Sequence, residues 1–189
     1  MAAVKQIPKE KIIDAATELV RRSGMSALNA RTLANELGCS TRPIYLSFGG
    51  MDEVKSAVVE NITRIYQGYL QREVQSGKYP PFKAYGMGYI RFAREEKEAF
   101  SYLFMRDRSN EAPVVDGGDY ENVLTAVTGA TGLDRESAKL FHFESWIFVH
   151  GIAAMAATSY AEFDEDTVQT LLTDMFTGLK TRFAQRGNK

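Results

Sequence analysis

Apolar residues recur along this chain at intervals of three and four, the spacing of one face of an α-helix, and no stretch alternates as a half-buried strand does. Ile12, Ala16, Leu19 and Val20 mark a first helix from about Lys9 to Ser23, opened after Pro8 and ended by Gly24. A short second helix follows Asn29, a good N-cap, and turns Leu33, Ala34 and Leu37 inward until Gly38 stops it. A third is expected from Ser40 or Thr41 to Phe48, with the Ser40 hydroxyl as its cap and Gly49-Gly50 breaking the chain behind it. Pro43 falls in its first turn, where a missing N–H costs little.

A long helix is expected from Met51 to about Gln75, with Asp52 and Glu53 in its first turn and Val54, Val58, Ile62, Ile65 and Tyr69 on its buried face. The segment SGKYPP closes it. Phe82–Glu96 reads as a helix apolar on several sides, with Gly86 and Gly88 letting neighbours come close. A short helix around Ala99–Met105 and a loop from Arg106 to Gly118 follow, then helices over Asp119–Thr128, Asp134–Tyr160 and Asp164–Ala184. The last carries a continuous stripe of Val168, Leu171, Leu172, Met175, Phe176, Leu179 and Phe183, and the helix before it is apolar nearly all round. A helix covered on every side needs neighbours on every side, and in so short a chain a second subunit is expected to supply some of them. The fold class is therefore all-α: a three-helix helix-turn-helix module over residues 1–50, then a helical bundle over residues 51–189.

Composition narrows the function classes. The 189 residues are 44% hydrophobic and 25% charged, ordinary for a soluble protein, and no apolar run approaches 18 residues, so no membrane partner is expected. The start, MAAVKQIPKEK, lacks the apolar stretch of a secretory signal. Cys39 stands alone, which rules out an intrachain disulfide and fits a reducing, cytoplasmic location. The formal net charge of −1 hides a division: residues 1–50 carry seven basic and four acidic side chains, the remainder sixteen and twenty. A polyanion is drawn to the first segment and repelled by the rest.

Residues 29–48, NARTLANELGCSTRPIYLSF, are the most specific stretch. Two short helices joined by a glycine-containing turn form the helix-turn-helix layout, with small Ala34 where the helices approach. This pattern, followed by a long acidic-starting helix at MDEVK, resembles the TetR family of bacterial transcriptional regulators over roughly residues 8–55. The resemblance implies that the third helix enters the major groove of double-stranded DNA, with Ser40, Thr41, Arg42, Pro43, Leu46 and Ser47 near bases and phosphates. Arg42 is the candidate for a bidentate contact to guanine, and Thr41 or Pro43 for a thymine methyl. Tyr45 matches a phosphate-bonding tyrosine, and Arg31 and Thr32 match backbone-clamping positions. The family usually has a lysine where this chain has Met51; Lys55 lies one turn further along.

The same resemblance implies a homodimer on a palindromic operator, paired through the last two helices, with Ala154, Leu172, Met175, Phe176 and Leu179 as candidate contacts. It also implies a small-molecule effector in a pocket of the central helices, for which Tyr66, Tyr89, Phe92, Phe104, Trp146 and His150 are candidates. His142, Trp146 and His150 share one helical face, but with only Glu144 nearby they form no metal site, and no metal or cofactor is expected. There is no phosphate loop, HExxH or nucleophile elbow, so an enzyme is not expected. The competing reading is a helical ligand-binding or interaction protein whose DNA binding is weak or lost.

Overall fold

The computed structural model describes residues 7–107, 109 and 119–186, and among them it holds nine α-helices, one short 3-10 turn and no strand. The all-α expectation is met. α1 spans Lys9–Ser23 and ends at Gly24, whose φ of 77° suits glycine and few other residues. The 3-10 turn Met25–Ala27, which periodicity did not signal, leads to α2, Ala30–Glu36. Here Asn29 Oδ1 accepts from the N–H groups of Arg31 and Thr32 at 3.0 Å each, while Thr32 Oγ1 accepts from Asn29 N–H at 3.1 Å. That reciprocal capping box fixes where the helix starts. α3 covers Arg42–Ser47, with Pro43 in its first turn. Ser40 does not cap it: Thr41 is the N-cap and makes no side-chain capping bond. The turn is closed by backbone, with Cys39 N–H donating to Ala34 O at 3.0 Å.

α4 spans Met51–Ser76, α5 Pro81–Glu95, α6 Lys97–Phe104, α7 Tyr120–Thr131, α8 Arg135–Ala157 and α9 Glu165–Arg186. The expected loop from Arg106 to Gly118 lies mostly outside the described residues. The chain forms two compact units, the first built from the segment up to Ile65 and from Glu96–Arg106, the second from Tyr66–Glu95 and the segment from Asp107 onward. Thus α6 returns to the N-terminal helices and packs on α1.

The first unit closes over Ile12, Ala16, Val20, Leu33, Ile44, Val54 and Phe100, all fully buried. Glu96, only 4% exposed, takes both Nε and Nη2 of Arg21, the former at 2.6 Å. A buried carboxylate is tolerable only when paired and bonded in this way. In the second unit α5 is central, packed on α7, α8 and α9. Phe141, Val127, Ala138 and Phe183 form one core cluster, with Phe82, Phe176 and Leu179 against it. Glu165, at the first position of α9, accepts from Lys78 Nζ and from the Tyr79 hydroxyl at 2.5 Å, and these partners hold its carboxyl down at about 2.

α8 is long and apolar enough to cross a bilayer, although 39% of its apolar window is buried inside this fold. Its composition sums two apolar faces, one turned to the core and one turned outward.

Candidate DNA-reading surface and ligand cavity

The helical period sorts the residues of α3 by face. Ile44 and Phe48 point into the core at 0% and 3% exposure, while Tyr45 and Leu46 stand out at 52% and 59%. Arg42 is exposed on the same outward side, one turn before them. Pro43, expected on the reading surface, is buried beside Ile44 and supports the helix instead. Ser40 is exposed, and Thr41 and Ser47 are half-buried. The Ser47 hydroxyl turns back and donates to Ile7 O at 3.4 Å. On α2, Arg31 is exposed, but the hydroxyl of Thr32 is occupied: it serves the capping box and donates to Ala27 O at 2.7 Å.

Charge pairing separates the cations of this unit. Lys9 pairs with Glu53 at 2.8 Å, Arg22 with Glu36 at 2.9 Å, Arg21 with Glu96, and Lys55 with Asp52 at 3.5 Å. Glu53 also accepts from Gly49 N–H at 2.7 Å, and Lys9 with that N–H lowers its carboxyl pKa. Among the described residues, the guanidinium groups of Arg31 and Arg42 have no such partner. A phosphate or a base edge can therefore engage them without displacing a carboxylate.

The second unit encloses a cavity of about 280 Å³. α4 contributes Tyr66, α5 contributes Phe82, Lys83, Tyr85, Gly86 and Tyr89, and α8 and α9 add His142, Ser145, Trp146, Leu172 and Phe176. Of the residues expected there, Tyr66, Tyr89 and Trp146 line it. Phe92 is fully buried behind Tyr66, ring centroids 5.3 Å apart. Phe104 belongs to the first unit, where it packs on Phe100 at 5.3 Å. His150 sits behind the wall: its Nδ1 lies 2.9 Å from the Tyr89 hydroxyl, and its ring stacks on Trp146 at 5.0 Å. Burial lowers the pKa of both His142 and His150, so both rings are neutral at pH 7. Burial raises the phenols of Tyr66 and Tyr89, keeping both protonated, while hydrogen bonding by Trp146 to Tyr89 acts in the opposite sense.

The expected interface residues divide. Leu172 is 3% exposed and lines the cavity, as do Met175 and Phe176, and Leu179 packs on the core cluster. Within one chain the α9 stripe is thus covered at Val168, Leu172 and Phe183 and half-buried at Leu171, Met175, Phe176 and Leu179. The unpartnered apolar surface lies on α8, where Leu140, Phe143 and Ile147 are 46%, 56% and 53% exposed. Ala154, half-buried, continues that stripe two turns beyond Ile147. Spacing of three and four at 140, 143 and 147 is the signal that sequence reading passed over.

Two family models match the chain. One described as "Bacterial regulatory proteins, tetR family" covers residues 12–58, and one described as "Tetracyclin repressor-like, C-terminal domain" covers residues 82–179, more than half of the chain. No curated protein matches it. Among solved structures, a TetR-family protein from Vibrio parahaemolyticus is 17% identical with a TM-score of 0.65, covering 89% of this chain and 96% of that one. A TetR-family member from Streptomyces coelicolor is likewise 17% identical, with a TM-score of 0.57 and coverages of 89% and 98%. Such low identities speak to fold alone. Taken with the helix-turn-helix geometry, the family models establish that the chain belongs to the TetR family: it is a transcriptional regulator with a DNA-binding helix-turn-helix module and a helical C-terminal domain.

Proposed function

We propose that this regulator represses transcription by binding a palindromic operator as a homodimer and lets go when a small molecule fills the cavity of its second unit. The DNA-binding domain is residues 1–50 and the sensing and dimerising domain residues 51–189. The observation that carries DNA reading is the exposed pair of guanidiniums, Arg31 and Arg42, without an acidic partner among the described residues and beside outward Tyr45 and Leu46. Arg42 reads a guanine, Leu46 meets an apolar base edge, and Arg31, Tyr45, Ser40 and Thr41 contact the backbone. Lys55 contributes to the phosphates only by loosening its hold on Asp52.

Dimerisation is supported by the outward stripe of α8, since a soluble chain seldom leaves so much contiguous apolar surface bare. A twofold axis through it pairs the same patch with itself and presents two α3 helices to one duplex. The cavity has apolar walls and few polar groups, the usual character of a small-molecule site.

Selection of bound sequences from random DNA, followed by mobility shifts at two salt concentrations, tests this reading. The expected outcome is an inverted repeat with half-site centres about 34–36 Å apart, bound with an affinity that falls steeply as salt rises. Failure to enrich any sequence would instead favour a helical ligand-binding protein without DNA function, the reading to which Met51 and the occupied Lys55 lean.

A further inference from the structure

We infer that the effector is an apolar aromatic acid, with its ring system among the cavity walls and its carboxylate or phenolate against Lys83. This rests on reading the cavity as the sensing site, and goes beyond it by assigning the chemistry of the occupant. Among the described residues, Lys83 is the one charged residue lining the void, and no carboxylate lines it. Its ammonium donates to Thr173 Oγ1 at 3.0 Å and lies 5.6 Å from the centre of the Tyr79 ring. Among the described residues it has no acidic partner, whereas nearby Lys78 is already committed to Glu165.

Two further polar side chains among the lining residues, Tyr85 and His142, can donate. On the helical wheel of α5, Lys83 and Tyr85 flank the Phe82–Gly86–Tyr89 face on opposite sides. The Tyr85 phenol is held protonated by burial and then by the field of Asp119, and its hydroxyl has no hydrogen-bond partner among the described residues. His142 is neutral, again without a hydrogen bond among those residues, and so offers one N–H. Asp119 itself is not among the lining residues, and its Oδ2 is buried. An anionic head beside Lys83 therefore meets a cation, while an ammonium head there meets a like charge and no lining counter-ion among the described residues. Phe82 and Phe176 stand tilted at 50°, centroids 6.1 Å apart, which leaves ring edges and faces for a flat body. A volume of about 280 Å³ suits a bicyclic molecule.

Calorimetric titration of the full chain with 2-naphthoic acid, 2-naphthalenemethanol and 2-naphthylmethylamine separates the alternatives, because the three share one body and differ in head charge. The acid is expected to bind about tenfold more tightly than the alcohol, and the amine most weakly. Lys83→Met should erase the preference while keeping the affinity for the alcohol, and Lys83→Arg should keep it. Trp146, the only tryptophan, lies in the wall, and its fluorescence reports whether the ligand is in this cavity. Equal binding of acid and alcohol, or tighter binding of the amine, overturns the assignment and leaves the cavity as a sensing site. If none of the three binds, the sensing-site reading fails and takes this one with it.

Discussion

Arg22 and Arg42 belong to the same module and differ in company. The guanidinium of Arg22 is bonded to Glu36 at 2.9 Å and 3.5 Å, so turning to DNA means abandoning a partner. Arg42 is exposed and unpartnered among the described residues, which leaves its five donors available to a guanine edge. Substituting Arg42 with alanine should cost about 1–3 kcal/mol in operator affinity and relax the preference at one base position. Arg22→Ala should leave the base preferences as they are. Sequence selection on both variants checks this, and an unaltered base preference in Arg42→Ala would remove it from the reading role. The neighbouring Leu46 shows why an isolated charge count misleads here. Leu46 is exposed beside Arg42, and on the proposed reading an apolar side chain there adds specificity through base methyl groups without raising the net charge.

Helix α5 shows how a small side chain can be required by packing where propensity argues against it. A Cβ at Gly88 would lie 3.0 Å from both Leu70 Cα and Tyr69 O, backbone atoms that cannot swing aside. Alanine there gains about 1 kcal/mol in helix propensity but forces α4 and α5 apart, at about 1–3 kcal/mol for overpacking. Gly88→Ala is therefore expected to lower the unfolding midpoint in denaturant. Gly129→Ala in α7, whose Cβ would meet nothing within 4 Å, should raise it slightly. If both shift the midpoint upward, the α4–α5 contact is looser than described. The elements themselves were legible in sequence because capping residues and glycines mark helix ends locally: α1 runs over the expected Lys9–Ser23, and α4 stops within a residue or so of its expected end. What covers each face was not legible. The stripe at Val168, Leu172, Phe176 and Phe183 reads the same whether its cover is a partner or its own α5 and α8. Periodicity reports that a face is buried and says nothing about the identity of its neighbour. The cavity was half-read for a related reason: Tyr66, Tyr89 and Trp146 line it, but Phe92 and Phe104, equally aromatic, differ only in three-dimensional place.

At the scale of the whole molecule, α8 is apolar nearly all round because it carries two apolar faces. Its inner residues, Ala138, Phe141, Ile152 and Ala153 among them, are buried against the rest of the second unit. Its outer residues, Leu140, Phe143 and Ile147, are about half exposed, and Phe148 and Met155 add 39% and 40%. A stable interface buries on the order of 1,200–2,000 Å² in total, to which a self-complementary stripe on a 23-residue helix can make the central contribution. Replacing Phe143 and Ile147 together with glutamate places four carboxylates in one twofold interface, since each change appears on both sides. The pair should yield monomers by light scattering with an unchanged far-ultraviolet spectrum. Binding to a full inverted repeat should fall towards that of a single half-site. Leu172→Glu separates this from general damage: at 3% exposure it introduces a buried charge and should lower thermal stability instead of producing a folded monomer. If the double variant keeps the mass of a dimer, the outward face of α8 is not where two chains meet, and the two reading helices must be brought together through some other surface.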